Sequence, residues 1–425
     1  MANIKLSIYS VLLGTLLIGI WGLFFSAPTI IKMTYAVTIY LSMIVFPYSY
    51  IIKNDFGVFA NMTLIMMMIW GLFEITATIL NTAPDMYMFG NKWITLFLSE
   101  YSAFVFLPPI FAFACTKKDN LFILLNAIIV YLIIGVLLSG INKQSAAFSS
   151  VFLMPFLPYL KKRKIQLVFL IAIIISILRA IDSSRMLFIV NFYGILALII
   201  CSNRYLLRLR WVVCITFIFL PFLMFIPILG IEKGDLTLFQ NIQNFLREQG
   251  FGGDTTDTRT FLYLEMAEDL TANNSWILGK GAYCHYFSSY FENAEGDTPL
   301  RMNSEVPFLN FLLKGGLVYI VLYYSLFIYS ILKALFLGKN RLVYISSIIL
   351  SGWFLNTFIG DVNGCRFYHI CIFSLVGCCL SPAILKKTDL EIQLLFENKY
   401  QQYLLIKYAL LKKLISKHRS IKKIS

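Results

Sequence analysis

Long apolar runs recur along the whole chain and are separated mostly by short polar connections. Most runs have roughly 17–25 residues, the length that a helix needs to cross about 30 Å of hydrocarbon. The pattern predicts an all-α polytopic membrane protein with about 12 membrane-spanning helices, or ten at the lower limit. The predicted spans are 6–25, 32–52, 57–80, 97–115, 121–140, 145–160, 165–180, 185–201, 211–230, 306–332, 341–360 and 367–385.

Two of these spans, 145–160 and 165–180, are short, and a re-entrant or tilted pair explains them equally well. Removing both leaves ten spans and the same orientation. The first run, 6–25, has the length of a signal peptide, but no small-residue cleavage site follows its apolar core. We therefore predict a first membrane helix there.

The composition agrees with a membrane protein. Hydrophobic residues make up 59% of the 425 residues and charged residues only 14%, which excludes an ordinary soluble multidomain chain. The net charge of +14 would suggest a nucleic-acid partner for a soluble protein. Here we attribute it to the accumulation of Lys and Arg in cytoplasmic loops, and we expect no nucleic-acid partner.

The basic clusters fix the predicted orientation, because cytoplasmic loops are rich in Lys and Arg. The clusters at 116–120, 161–164, 203–210 and 337–341 fall on one side of the membrane together with the basic tail. Both chain termini are then cytoplasmic, and the long segment 231–304 lies outside. The predicted parts are N-terminal helices 1–230, an outer loop 231–304, C-terminal helices 305–385 and a basic cytoplasmic tail 386–425.

The long outer segment has its own predicted structure. Apolar residues between 236 and 246 recur on one helical face, which suits either a helix on the membrane surface or a packed ectodomain helix. A second helix begins after Asp257 or Thr258, which are suitable N-caps. Because long loops that are not disordered are usually functional, we expect this one to form part of a site.

The eight cysteines have no metal-ligand spacing, so we predict neither a metal site nor a disulfide framework. Most lie inside apolar runs and are expected to pack as small apolar side chains. Cys284 and Cys365 alone look exposed.

Charged and polar residues gather at the predicted outer ends of the helices, where charges are costly and tend to be functional. Arginine binds phosphate with a planar fork and stays charged, so the pattern favours an anionic head group such as a lipid-linked diphosphate. Structural explanations compete: Arg179 and Asp182 can pair with each other, and Gly279-Lys280-Gly281 can be an ordinary turn. The groups are Arg179, Asp182 and Arg185; Arg259; Gly279, Lys280, Gly281 and His285; Glu305, Asn310 and Lys314; and Asp361, Arg366 and His369.

The stretch MNSEVPFLNFLLKGGLVYI at 302–320 is unusual for a membrane helix. Asn310 and Lys314 are four residues apart and share one helical face, which we predict to line a substrate cavity. Gly315 and Gly316 would let a neighbouring helix approach closely. The alternative is that Lys314 extends to the membrane surface and the glycines only pack.

Three motifs in order resemble the O-antigen polymerase and ligase superfamily. They are Ser184-Arg185 at the head of a span, Arg259 in a helix before the Gly279-x-Gly281 turn, and the Gly315-Gly316 helix. The resemblance covers roughly 140–335. It implies a GT-C-like membrane glycosyltransferase with one large, partly helical periplasmic loop, acting on undecaprenyl-diphosphate-linked oligosaccharides at the bacterial inner membrane.

The same resemblance suggests the reaction. Ligases of the family usually carry His-Asn just before the Gly-Gly helix, whereas this chain has Asn303-Ser304-Glu305. This difference favours a polymerase of O-antigen or a related surface polysaccharide over the alternatives, an O-antigen ligase or a lipid-linked oligosaccharide flippase or transporter. The expected partners are the lipid-linked oligosaccharide, the lipid bilayer, a chain-length regulator and a flippase. No cofactor is expected.

Predicted roles follow for individual residues. Developing negative charge on the leaving diphosphate requires cationic groups, and an acceptor hydroxyl requires a base within hydrogen-bond reach. Glu305 is the first choice as base and His285 the second. The predicted diphosphate contacts are Arg185, Arg259, Lys280 and Arg366.

Overall fold

A computed structural model describes residues 56–80, 151–160, 185–228, 260–281, 284–288, 300–301, 303–358 and 367–396, with scattered positions between 112 and 178. The described residues are mostly helical, as the apolar periodicity predicts. The helices are α1 Val58–Leu80, α2 Arg185–Ser202, α3 Leu209–Ile228, α4 Thr260–Ala272, α5 Pro307–Leu337, α6 Arg341–Asn356, α7 Phe367–Leu380, α8 Pro382–Leu385 and α9 Asp389–Phe396.

Six of these helices, α1, α2, α3, α5, α6 and α7, overlap predicted spans. The last predicted span, 367–385, is divided, because α7 ends at Leu380 and Pro382 begins the short helix α8. Proline suits the first turn of a helix, where its missing N–H has no partner to lose. The predicted spans 6–25 and 32–52 lie outside the described residues. The spans 97–115, 121–140 and 165–180 are described only at scattered positions.

The short predicted span 145–160 ends in a 3₁₀ helix rather than in a full α-helix. This helix, Met154–Tyr159, contains Pro155 and Pro158. Proline lacks a backbone N–H and its ring clashes with the preceding turn, so an α-helix cannot continue through these positions. The 3₁₀ helix is buried against α6.

Among the described residues, α5 is the helix that is both long enough and apolar enough to cross a membrane. Shorter apolar helical stretches occur at Val58–Glu74, Ile189–Ser202 and Cys371–Leu380. The exposed face of α1 is also apolar, which is typical of a helix that faces lipid rather than water. Its exposed residues include Val58, Phe59, Met62, Met66, Ile69 and Leu72.

Helix α6 lies at the centre of the described bundle and packs against α2, α3, α5 and α7. All its residues except Arg341 and Tyr344 are buried. At Gly352 the helix touches the ring of Tyr193 on α2 so closely that a Cβ atom would collide with it. Small residues at helix crossings permit this kind of backbone approach in membranes.

A second, smaller hydrophobic cluster joins α4 and the two short strands to the beginning of α5. Helix α4 contributes Leu262, Met266 and Leu270, spaced four residues apart on one face. A two-residue antiparallel pairing of β1, Tyr286–Phe287, with β2, Leu300–Arg301, lies beside α4. The predicted boundary at 304–305 therefore runs through a shared cluster, which also includes Val306, Leu309, Leu312 and Leu313.

Candidate functional site

Helix α5 is broken at Gly316, whose backbone has φ 62° and ψ −168°. The break divides α5 into a short first segment, Pro307–Gly315, and a longer second segment, Leu317–Leu337. A broken helix leaves carbonyl groups at the end of its first segment and N–H groups at the start of its second without their helical partners. Within an apolar bundle these groups must find other partners, because each unsatisfied group costs several kcal/mol in hydrocarbon.

A turn between α4 and β1 supplies most of these partners. The turn follows α4 and includes Trp276, Ile277 and the Gly279-Lys280-Gly281 motif. The indole of Trp70 on α1 adds one more donor. The bonds are Lys280 N–H to Leu313 O (2.7 Å), Gly281 N–H to Lys314 O (3.0 Å), Leu317 N–H to Trp276 O (2.8 Å), Val318 N–H to Ile277 O (3.3 Å) and Trp70 Nε1–H to Gly315 O (2.8 Å).

Glycine is required on both sides of this contact. Gly279 and Gly316 have φ values of 72° and 62°, a region that other residues rarely adopt. A Cβ atom at Gly279 would collide with the carbonyl of Lys314, and one at Gly316 with the carbonyl of Ile277. The Gly-x-Gly motif and the Gly-Gly motif are therefore two halves of one backbone contact, which we call the glycine junction.

Lys280, a predicted diphosphate contact, ties the turn to α4. Its ammonium group lies 2.9 Å from Asp269 Oδ2 and donates to the backbone carbonyl of His285 at 2.7 Å. The side chain retains 21% exposure. A phosphate bound by Lys280 would therefore share its ammonium group with Asp269 and the carbonyl of His285.

Lys314 and Glu74 are two buried ionisable residues beside the glycine junction. Their exposed fractions are 6% and 1%, and opposite charges on them would attract each other. The Glu74 carboxyl group lies directly against Gly315, where a Cβ atom would collide with it. This close approach couples α1 to α5.

The predicted cavity residues Asn310 and Lys314 both hold the segment before α5. Asn310 accepts from the Ser304 N–H at 2.7 Å and donates to the Ser304 carbonyl at 2.7 Å. Lys314 donates to Asn303 Oδ1 at 2.8 Å. These bonds fix residues 303–304, which we call the mouth segment together with Glu305.

The two predicted bases lie in one neighbourhood. Cys284 and Tyr286, the neighbours of His285 in the chain, belong to the smaller hydrophobic cluster. The same cluster includes Val306, which follows Glu305. His285 and Glu305 are themselves half-buried. Burial is the main cause that raises the pKa of Tyr286 to about 12, and the negative charge of Glu305 contributes. The tyrosine therefore stays protonated at neutral pH.

Cys284 corrects one sequence prediction. It is 5% exposed, not open to solvent, and its thiol donates to the Leu313 carbonyl at 3.9 Å. Burial raises its pKa to about 12, which makes it a poor nucleophile at neutral pH. The sequence prediction was wrong because the stretch GAYCHYF is only weakly apolar, whereas its contact with α5 is made by tertiary packing.

The predicted arginines lie at the limits of the described residues. Arg185 is the first residue of α2, but its side chain is not among those described. Arg259 immediately precedes α4, and Arg366 immediately precedes α7; both lie outside the described residues. Their contact with a diphosphate stays a prediction. Within the described ranges no group of His, Cys, Asp and Glu has the arrangement of a metal site.

Sequence reasoning did not find the pairing of Glu74 with Lys314. The signal was nonetheless present, because each is a single charge within an apolar run and their signs are opposite. Comparison with family models, curated proteins and solved structures finds no match to this chain.

Proposed function

We propose that this protein polymerises undecaprenyl-diphosphate-linked oligosaccharide repeat units into O-antigen or a related surface polysaccharide. The glycine junction is the observation that supports the proposal most. The family resemblance depends on three short motifs, and two of them, Gly279-x-Gly281 and Gly315-Gly316, bind each other. The helix that follows Arg259 packs on the same unit.

The proposed reaction forms one glycosidic bond and breaks one sugar–phosphate bond. The terminal sugar hydroxyl of a new lipid-linked unit attacks the anomeric carbon that joins the growing chain to its lipid. Undecaprenyl diphosphate leaves with the bonding electron pair, and the hydroxyl proton passes to the base. No oxidant, cofactor or energy source besides the activated sugar is needed.

Residue roles follow from charge and position. Arg185 and Arg259 are the main proposed diphosphate contacts, because charge develops on the leaving group. Lys280 and Arg366 are secondary contacts. Glu305 is proposed as the base and His285 as its substitute, since both lie beside the helix that carries the Gly-Gly motif.

The proposed setting is the periplasmic face of a bacterial inner membrane. About 12 spans in a GT-C-like arrangement would place the outer segment over the active site and both termini in the cytoplasm. Helix α5, the one helix among the described residues that is long and apolar enough to cross a membrane, supports the membrane part of this proposal, as does the apolar exposed face of α1. A chain-length regulator and a flippase are the proposed protein partners.

The test uses membrane vesicles that contain the full-length protein, supplied with a synthetic undecaprenyl-diphosphate-linked repeat unit. A ladder of lipid-linked polymers on a gel is the expected product. Arg185→Ala and Arg259→Ala should each abolish the ladder, whereas Arg208→Ala should leave it unchanged, because Arg208 lies in an exposed connection between α2 and α3. Normal ladders from both outer arginine variants contradict the diphosphate assignment.

The same vesicles separate the two alternatives. A ligase would transfer sugar to an added lipid A core acceptor without lengthening the lipid-linked unit. A flippase would make the unit accessible on the opposite leaflet without forming any bond. Either result, without a ladder, contradicts the proposed polymerase.

A further inference from the structure

A line of buried polar residues runs from α1 through α5 to the mouth segment. The Glu74 carboxyl group on α1 lies against Gly315 of α5, and the ammonium group of the preceding residue, Lys314, donates to Asn303 Oδ1 at 2.8 Å. Two residues further on is Glu305, the proposed base. The charged members are almost fully buried, so their geometry is held by packing on every side.

The mouth segment is fixed at two consecutive residues. Lys314 holds Asn303 by its side chain, and Asn310 holds Ser304 by both backbone groups. Lys314 itself is one residue before Gly315, whose carbonyl accepts from Trp70. A displacement of α1 against α5 would therefore move the Lys314 ammonium group and the residues that it holds.

We propose that Glu74 and Lys314 are positioning residues that fix the mouth segment and thereby set the position of the Glu305 carboxylate. The pair does not touch substrate in this scheme. The effect on activity rests on the proposed function, whereas the effect on the position of residue 305 does not. The predicted role of Lys314 as a cavity residue stays a prediction.

Single changes at Glu74 or Lys314 would confuse folding with positioning. Removing one member of a buried pair leaves an uncompensated charge and is strongly destabilising, whereas removing both is often neutral. A double change, Glu74→Gln with Lys314→Met, therefore separates folding from positioning. The double change leaves no uncompensated buried charge, but it also removes the hydrogen bond from Lys314 to Asn303.

The first experiment measures position without activity. Glu305→Cys is labelled with a membrane-impermeant maleimide in the full-length chain, and the unmodified chain is labelled in parallel to subtract its native cysteines. Asn303→Ala and the double change should each alter the labelling rate about tenfold, as expected for the loss of a hydrogen bond to a charged group. Asn303→Asp keeps an acceptor for Lys314 and should label at the parental rate.

The second experiment measures repeat-unit polymerisation with Glu305 intact. Asn303→Ala and the double change should lower kcat about tenfold with KM nearly unchanged, because a displaced base affects the transition state rather than substrate binding. Asn303→Asp should restore kcat. Lys333→Met is the matched control, since Lys333 is a second lysine on α5 that donates to the Phe56 carbonyl, far from the mouth segment in sequence.

Parental labelling of Glu305→Cys in both the Asn303→Ala and double-change backgrounds overturns the inference. Parental kcat in Asn303→Ala overturns it as well. If labelling changes as expected while membranes with the unmodified protein form no polymer, positioning stands and the proposed function fails.

Discussion

The break in α5 and the connection from α5 to α6, residues 338–340, satisfy their backbone groups in different ways. At the break, the glycine junction joins backbone to backbone, and the turn at 276–281 supplies both donors and acceptors. At the connection, side chains supply most of the partners. Asn340 accepts from the Val343 N–H to cap α6 and donates to the carbonyls of Ile384 and Lys387.

Asp389 and Tyr159 supply further hydrogen bonds at the connection from α5 to α6. Asp389 accepts from the Arg341 N–H at 2.7 Å and from the Tyr159 hydroxyl at 2.5 Å. The same hydroxyl accepts from the Leu342 N–H at 3.0 Å. One cluster of side chains thus joins the 3₁₀ helix, α6 and α9.

The difference predicts how each end responds to change. Backbone contacts at the glycine junction leave no room for a Cβ atom, so only glycine is compatible with them. Side-chain caps are replaceable in part, because another residue with an acceptor can restore one bond. The break in α5 should therefore be far more sensitive to small changes than the connection from α5 to α6.

Gly316→Ala should have the largest effect. A positive φ costs a residue with a Cβ atom about 1–2 kcal/mol, and the collision with the Ile277 carbonyl adds to this cost. We expect a loss of roughly 3 kcal/mol in unfolding free energy and loss of activity. The measurement is thermal unfolding of the full-length protein in detergent, with the neighbouring exposed Leu317→Ala as control. Equal stability of the two variants would contradict the junction.

Gly279→Ala should cost roughly as much, because it breaks the same contact from the other side. The double variant with Gly316→Ala should then be less destabilised than the sum of the single variants. Unfolding of all three variants measures this coupling. Strict additivity of the two losses in unfolding free energy would mean that the two motifs are independent. That result would contradict the contact between Gly279 and Lys314.

Asn340→Ala should cost about 2 kcal/mol, less than either glycine change, because it removes a helix cap and two further hydrogen bonds. Asn340→Ser keeps a capping oxygen and should recover part of the loss. The comparison uses the same unfolding measurement. If the Asn340→Ser and Asn340→Ala variants were equally destabilised, the cap would contribute nothing. The loss of stability would then come only from the missing hydrogen bonds to the carbonyls of Ile384 and Lys387.

Glu391 should give the smallest effect, which is present at neutral pH and lost in acid. Hydrogen bonds from Thr388 lower the pKa of this exposed carboxyl group. A lowered pKa contributes stability above the unfolded-state value of 4.5 and loses it as the pH falls through the folded-state value. Glu391→Gln should therefore reduce the protection of α9 from proteolysis at pH 7 and make no difference well below pH 4.5. An equal effect at both pH values would contradict the capping role.

Local patterns in the sequence predicted most of the helices. The spans at 57–80, 185–201 and 306–332 correspond to α1, α2 and α5, because apolar length and periodicity are properties of neighbouring residues. The predicted second helix of the loop is present as α4, beginning at Thr260. The predicted N-caps, Asp257 and Thr258, lie outside the described residues, so the capping stays a prediction.

The candidate site could be predicted only as separate pieces. Glu305, Lys314, Gly279 and Gly316 each stand out in sequence, but nothing local shows which of them touch. Cys284 looks exposed in sequence and is buried by α5. Asn310 and Lys314 share a helical face as predicted, yet their hydrogen-bond partners belong to the segment before the helix.

The sequence by itself determined an apolar, helical chain with single charges and paired glycines inside its apolar runs. The tertiary structure decided that Glu74 lies beside Lys314 and that the two glycine motifs form one junction. The reason is that helix formation follows from interactions a few residues apart, whereas a buried charge or a broken helix is stabilised only by a partner, and that partner can lie anywhere in the chain.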